Sequence, residues 1–394
     1  MQRRQPASPR SRRAVGGVAS GAGVVLLISL LVALRWPASG SSGPTAATAG
    51  GSSSPPPTHA GAPQDRSPSA RAPVVAAASP PEGTSGPNGA GPFQGGLLIA
   101  DRGNGRLLIV TNGRRIVWSF PAAGSLPRGQ RFSADDAFIA PDHRTIVAND
   151  ETHEVIDRID IATRRVIWQY GRYQQSGSRA GFLHTPDDAY PLANGDVVTA
   201  DIRNCRILEI SPAKRIVRQW GRTGVCRHDP PRTFDMPNGD TPLPDGGLLI
   251  TEIRGSRVVR LDARGRVLFD IHVPASYPSD AQLDASGSVV VVVDYASPGA
   301  ILRVSMTGKV LWRYRPGRGA TRLDHPSLAV PLAGGAIAMN DDGRDRVVVV
   351  DPGTHRVVWQ FGHTDRHGAG HGFLSDPDGI DLVPAAVMAS LPPR

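Results

Sequence analysis

The residues of this sequence best suited to chemistry are aspartates and a few histidines. Asp135-Asp136 and Asp187-Asp188 are adjacent carboxylate pairs, and Asp240, Asp280 and Asp378 stand singly at matching places further along the chain. His184 precedes one pair in HTPDD, and His325 stands in a comparable HP dipeptide. Carboxylates brought together repel one another unless a cation or hydrogen-bond donors compensate. Two chemistries would use such a set. Several oxygens at about 2.3–2.6 Å from one centre suit Ca²⁺, with Asn238 and Asn340 as further oxygen donors. A histidine beside a carboxylate can serve as a general base. A third reading is purely structural: each acid caps the start of its own strand and bonds to backbone of the next repeat. The sequence leaves these open.

Other candidates are weaker. His363, His367 and His371 are spaced by four, but the glycines among them indicate a solvated loop rather than a helix face. Asp101/Arg106, Asp201/Arg206 and Glu252/Arg257 keep an acid five residues before an arginine, while Asn149 and Glu154 occupy those two places in the second repeat. That joint change is what a local ion pair predicts, and it reads as a turn clamp. Cys205 and Cys226 are the only cysteines; outside the cell an even pair is usually oxidised, and a disulfide closing the intervening loop is expected. There is no serine nucleophile elbow, no phosphate-binding glycine loop and no Cys-x-x-Cys.

The elements that must position these residues are repeated. Trp118, Trp168, Arg218, Phe269, Trp312 and Trp359 end corresponding apolar runs at steps of 50, 50, 51, 43 and 47 residues. Asp101, Asn149, Asp201, Glu252, Asp294 and Asn340 end an earlier run at steps of 48, 52, 51, 42 and 46. Two markers with one period define a true repeat, and a period of about 40–50 residues holding several short strands indicates propeller blades. β-branched runs such as SVVVVV at 288–293 suit strands buried on both faces. The first repeat lacks its inner strand, whereas GFLSDPDGIDLVP at 372–384 matches GFLHTPDDAYPL at 181–192 with no strands after it. The expectation is an all-β, six-bladed propeller of four-stranded antiparallel blades, closed by a C-terminal strand that joins the first blade and leaves no free edge. The fifth blade, with its irregular DYASPGA turn, is expected to be the least regular.

On these residues a resemblance can be stated. YGRYQQSGSRAGFLHTPDDAYPLANGDVVTADIRNCRILEI resembles an NHL-type repeat, and DPGTHRVVWQFG resembles the tryptophan-containing repeats of PQQ-type propellers, a mixture also found in arylsulfotransferase-like propellers. The resemblance spans roughly residues 95–384. It implies a propeller whose innermost strands line a central channel. It also implies either a binding module or a channel-mouth enzyme of lactonase, lyase or arylsulfotransferase-like type that uses His and Asp residues, with Ca²⁺ a candidate cofactor.

Charge and composition place the domain. The net charge is +9, but residues 1–94 hold eight Arg and two acids, so the remainder carries only +3. No basic stripe asks for nucleic acid. Arg3, Arg4, Arg10, Arg12 and Arg13 precede an uncharged run from Ala14 to Leu34, followed by Arg35 and Trp36. That pattern is a transmembrane signal-anchor helix with a cytoplasmic N-terminus; a cleaved signal peptide is the alternative, and both export the rest of the chain. Residues 37–93, with twelve Pro among Ser, Gly, Ala and Thr, cannot form a core and read as a tether with a reach of roughly 40 Å. The expected organisation is a basic tail at 1–13, the anchor at 14–36, the linker at 37–93, the propeller at 94–384 and a tail at 385–394. A membrane-bound, extracytoplasmic monomer is expected, with an unidentified protein or small polar ligand as partner.

Overall fold

A computed structural model describes residues 91–392. The basic tail, the apolar run and nearly all of the linker lie outside the described residues, within which no helix is long and apolar enough to cross a membrane. The described chain forms six four-stranded antiparallel sheets. Five are built from consecutive strands. The sixth, blade 1, combines Gly96–Asp101, Arg106–Thr111 and Ile116–Phe120 with Pro377–Val383 from the far end of the chain. That last strand pairs antiparallel to the first, from Gly96 opposite Val383 to Asp101 opposite Pro377. The innermost strands of blades 2 to 6 are Ala137–Ile139, Pro186–Pro191, Pro237–Pro242, Pro278–Leu283 and Ala329–Pro331. Blade 5 is as complete as the others, despite its turn.

Burial follows from position in the blade. The second strands are buried throughout or nearly so, as in Thr145–Asp150 and Val197–Asp201, because neighbouring blades cover both faces. The fourth strands alternate exposed and covered residues, as in Ile216–Trp220. Apolar side chains from adjacent blades interlock into clusters; Val291, Val293, Tyr314, Ala329 and Met339 form one such seam.

The periodic aromatic position has a defined task between blades. The indole N–H of Trp118 donates to the carbonyl of Ile161 at 2.9 Å, Trp168 to Pro212 at 2.9 Å, Trp312 to Pro352 at 3.1 Å and Trp359 to Asn112 at 2.9 Å. Each bond runs from an outer strand to the outer hairpin of the following blade. In blade 3, where the position is Arg218, a guanidinium N–H donates to Ala263 at 3.0 Å instead. Phe269 of blade 4 has no donor to offer.

The segment after the closing strand is more ordered than a tail. Ala385–Ser390 forms a short helix, with Val387 fully buried and Met388 and Leu391 packed near Val117 of blade 1.

Candidate functional site

One local device repeats in all six blades and sets up the site. The acid ending each second strand accepts a hydrogen bond from a backbone N–H in the loop that leads into the innermost strand of the same blade. The pairs are Ser375 to Asp101, Ser133 to Asp150, His184 to Asp201, Asp235 to Glu252, Ser276 to Asp294 and Asp324 to Asp341, at 2.7–2.9 Å. All six acids are buried. Each clamp therefore holds the start of an innermost strand in place, and with it the residues that face the channel.

The clamp corrects the sequence register in two blades. The acids are Asp150 and Asp341; Asn149 and Asn340 lie one position earlier and point between blades, where Asn340 bonds to backbone of residues 328 and 377. Arg106, Arg206 and Arg346 bond their clamp acids through Nε at 2.6, 2.8 and 2.7 Å. In blade 2 His153 takes that place, 2.7 Å from Asp150, and Glu154 serves instead as acceptor for the Thr185 N–H. Arg257 does not reach Glu252: it pairs with Asp270, and His228 bridges Glu252 and Asp270.

The residue after the proline (alanine in blade 2) at or just before the start of each innermost strand forms a polar ring: Asp378, Asp135, Asp187, Asn238, Ser279 and Ser327 in blades 1 to 6. All six line a cavity of about 90 Å³. Asp136, Asp188 and Asp280, one residue further along, complete the carboxylate lining. Arg102, Glu151 and Tyr295, each following a clamp acid, join Tyr277 in the rest of the wall. The ring is lopsided, with its three acids on blades 1 to 3 and neutral groups on blades 4 to 6.

Seven carboxyl groups thus meet one cation. Arg102 pairs with Asp135, Asp378 and Glu151. Burial acts to raise Asp378, but the Arg102 guanidinium and hydrogen bonds to Asp135, Ser327 and Arg102 together outweigh it and hold this carboxyl below its ordinary value. The others move the opposite way. Burial, reinforced by Asp187 and Asp378, pushes Asp136 far up; burial with Asp136 and Asp280 does the same to Asp188. Burial, with Glu151 and Asp378, lifts Asp187 to about 7. Burial lifts Asp280 to about 6 against a hydrogen bond from Gln282. Such a cavity favours any cation that enters it.

Of the residues singled out in the sequence, Asp135, Asp136, Asp187, Asp188, Asp280 and Asp378 line this one cavity. Asp240 does not: it is wholly buried behind the wall, where burial and the charges of Asp187 and Asp280 push it well up. His184 and His325 are not equivalent. His184 aligns with Asp324 at the clamped position, whereas His325 aligns with Thr185, Met236 and Asp376, which share its left-handed backbone before proline. Neither imidazole lines the cavity. His325 lies 2.7 Å from Asp324 and meets the Tyr295 ring at a tilt of 58°, and it does not line the cavity. Cys205 and Cys226 are joined by a disulfide, their Cα atoms 5.2 Å apart. Asn238 lines the cavity, but its amide is engaged with Tyr277 and Ser279. Among the described residues, one group of three potential metal ligands converges, Asp135, Asp136 and Asp187, and the loop histidines do not.

Sequence reasoning passed over Arg102, Glu151, Tyr277, Ser279, Tyr295 and Ser327. Two positional signals could have found most of them: the residue after each clamp acid, and the residue after each strand-opening proline.

The architecture defines the class: a six-bladed β-propeller with PQQ-like repeats. Residues 218–379, about two-fifths of the chain, match the family described as outer membrane protein assembly factor BamB. No curated protein sequence matches the chain. Among solved structures, a protein of unknown function from Bacteroides caccae is similar at 17% identity and a TM-score of 0.51, covering 73% of this chain and 97% of that one. Virginiamycin B lyase from Staphylococcus aureus is similar at 15% identity and a TM-score of 0.45, covering 67% and 79%. At these identities the likeness concerns the fold alone.

Proposed function

We propose that this chain is a membrane-tethered, extracytoplasmic binding module whose ligand site is the acid-lined channel, and that the group it accepts is positively charged. The observation that carries the reading is the convergence of seven carboxyl groups from four blades on one cavity with Arg102 as the only cation in its wall. The arginine-flanked apolar run and the proline-rich tether support export and attachment. A channel-mouth enzyme relying on His184 or His325 has no such support, because neither imidazole lines the cavity in which the carboxyl groups converge.

The binding test is calorimetric titration of the full-length chain in detergent with cationic probes (CaCl₂, spermidine, arginine amide) and with sulfate. Heat from at least one cationic probe, none from sulfate, and loss of the signal in an Asp187→Asn/Asp378→Asn double variant are expected. Silence with every cationic probe would remove the reading. For topology, protease added outside intact cells should cleave or release the propeller; complete protection until lysis would place it on the other side.

A further inference from the structure

We propose that the charge accepted by the channel is a single divalent cation, Ca²⁺, seated between Asp135, Asp136 and Asp187. The inference rests on the cationic-ligand reading above and specifies its ligand. One carboxylate oxygen from each of the three lies within 4.8 Å of the other two. Two oxygens that share an ion at about 2.4 Å can be no further apart than about 4.8 Å, and every pair in this group meets that limit.

A second observation is independent of the clustering. Oδ1 of Asp136 and Oδ2 of Asp188 have no hydrogen-bond partner, although the two residues are only 5% and 2% exposed and line the cavity. A buried carboxylate oxygen left without a partner loses its hydration and gains nothing in exchange; a cation in the cavity supplies what is missing. The neighbouring blades approach these oxygens closely with glycine backbone and no side chain. A Cβ at Gly379 would lie 2.4 Å from Asp136 Oδ1, and one at Gly239 would lie 3.2 Å from Asp188 Oδ2.

Nearby donors are committed elsewhere. The Thr199 hydroxyl donates to the Asp187 carbonyl at 2.8 Å and the Thr251 hydroxyl to the Ser279 carbonyl at 2.9 Å. Arg102 reaches Asp135, Asp378 and Glu151, but no contact joins it to Asp136 or Asp187. No sulfur or imidazole lines the cavity, so the donor set is all oxygen and suits a hard cation. Ca²⁺ fits better than Mg²⁺ because carboxylates fixed in two blades present an irregular geometry, which calcium tolerates and octahedral magnesium does not. The cavity leaves space for several waters to complete the shell.

The test is titration of the chelator-stripped full-length chain with CaCl₂, with MgCl₂ and, separately, with spermidine. The expected result is one Ca²⁺ per chain, bound at least tenfold more tightly than Mg²⁺. Asp136→Asn and Asp187→Asn should each weaken calcium at least tenfold, and Asp245→Asn, on an exposed turn, should leave it unchanged. The asparagine variants remove charge at nearly constant shape, and circular dichroism checks that they fold. Gly379→Ala, which crowds Asp136 without touching any charge, should also weaken calcium. Calcium binding undiminished in both asparagine variants, or magnesium binding equally well, would overturn the assignment. So would spermidine binding without calcium, an outcome that leaves the cationic-ligand reading standing; silence with all three probes removes both.

Discussion

At the scale of single residues, the buried acids fall into two populations with opposite energetics. The clamp acids are surrounded by donors: Asp201 accepts from the His184 N–H, the Asn204 amide and Arg206. Removing it strands a buried guanidinium, so Asp201→Ala should destabilise the domain by about 3–5 kcal/mol in urea unfolding. The cavity acids are surrounded by one another. In chelator, Asp136→Asn should therefore stabilise the domain by about 1 kcal/mol or more, and added Ca²⁺ should favour the wild type. A loss of stability in chelator would mean that Asp136 is a structural acid like Asp201. All the cavity acids except Glu151 were legible in the sequence because they cluster at two adjacent positions at the start of the innermost strand in several repeats. The clamp was legible in type, but its register slipped by one in blades 2 and 6. There an asparagine precedes the acid, and the two are equally plausible as the end of an apolar run.

At the scale of elements, the outer strands and one loop carry the testable features. Trp168 joins blade 2 to blade 3 through one indole hydrogen bond. Trp168→Phe keeps the ring and removes the donor, and should lower stability by about 1 kcal/mol with no change in circular dichroism. The aromatic period was plain in the sequence, and its hydrogen-bonding purpose was not, because the acceptor lies some 40 residues downstream in the next blade. The Cys205–Cys226 disulfide staples the loop that carries His228 to its own blade. Alkylation without reductant should add no mass. Reduction should make the segment 222–235 the first site of proteolysis.

At the scale of the whole molecule, the buried carboxyls set the pH response. Asp187, Asp157 and Asp381 are lifted to about 7, and Asp280 and Asp376 to about 6, in each case chiefly by burial. A raised acid keeps its proton in the folded state at a pH where the unfolded chain has released it. Between about pH 4 and 7 the folded state therefore binds more protons, and stability must fall as pH rises through that window. Each group contributes at most about 1.4 kcal/mol per pH unit. Below about pH 4 the gain is complete, and exposed acids held low by partners, such as Asp365 beside Arg344, begin to lose theirs. In chelator the melting temperature should accordingly rise on acidification from about pH 7.5 to 5 and turn over below 4. A steady decline from neutrality downward would contradict the raised carboxyls. Millimolar Ca²⁺ should flatten the profile by stabilising the ionised cavity.

The sequence by itself determined the blade count, the four-stranded unit and the closure by the C-terminal strand, because each depends on a periodic pattern along the chain. It also pointed to the starts of the innermost strands as the place where acids gather, since neighbouring positions there carry them in several repeats. Only the tertiary structure decided which of these acids share a cavity. That depends on how far each innermost strand projects and on what the adjacent blade places beside it: Gly379 sets bare backbone against Asp136, and Asp240 turns behind the wall. It also decided that Arg102 stands among them and that the histidines stand apart. Those neighbours come from residues tens to hundreds of positions away, and no local pattern encodes a distance across the ring.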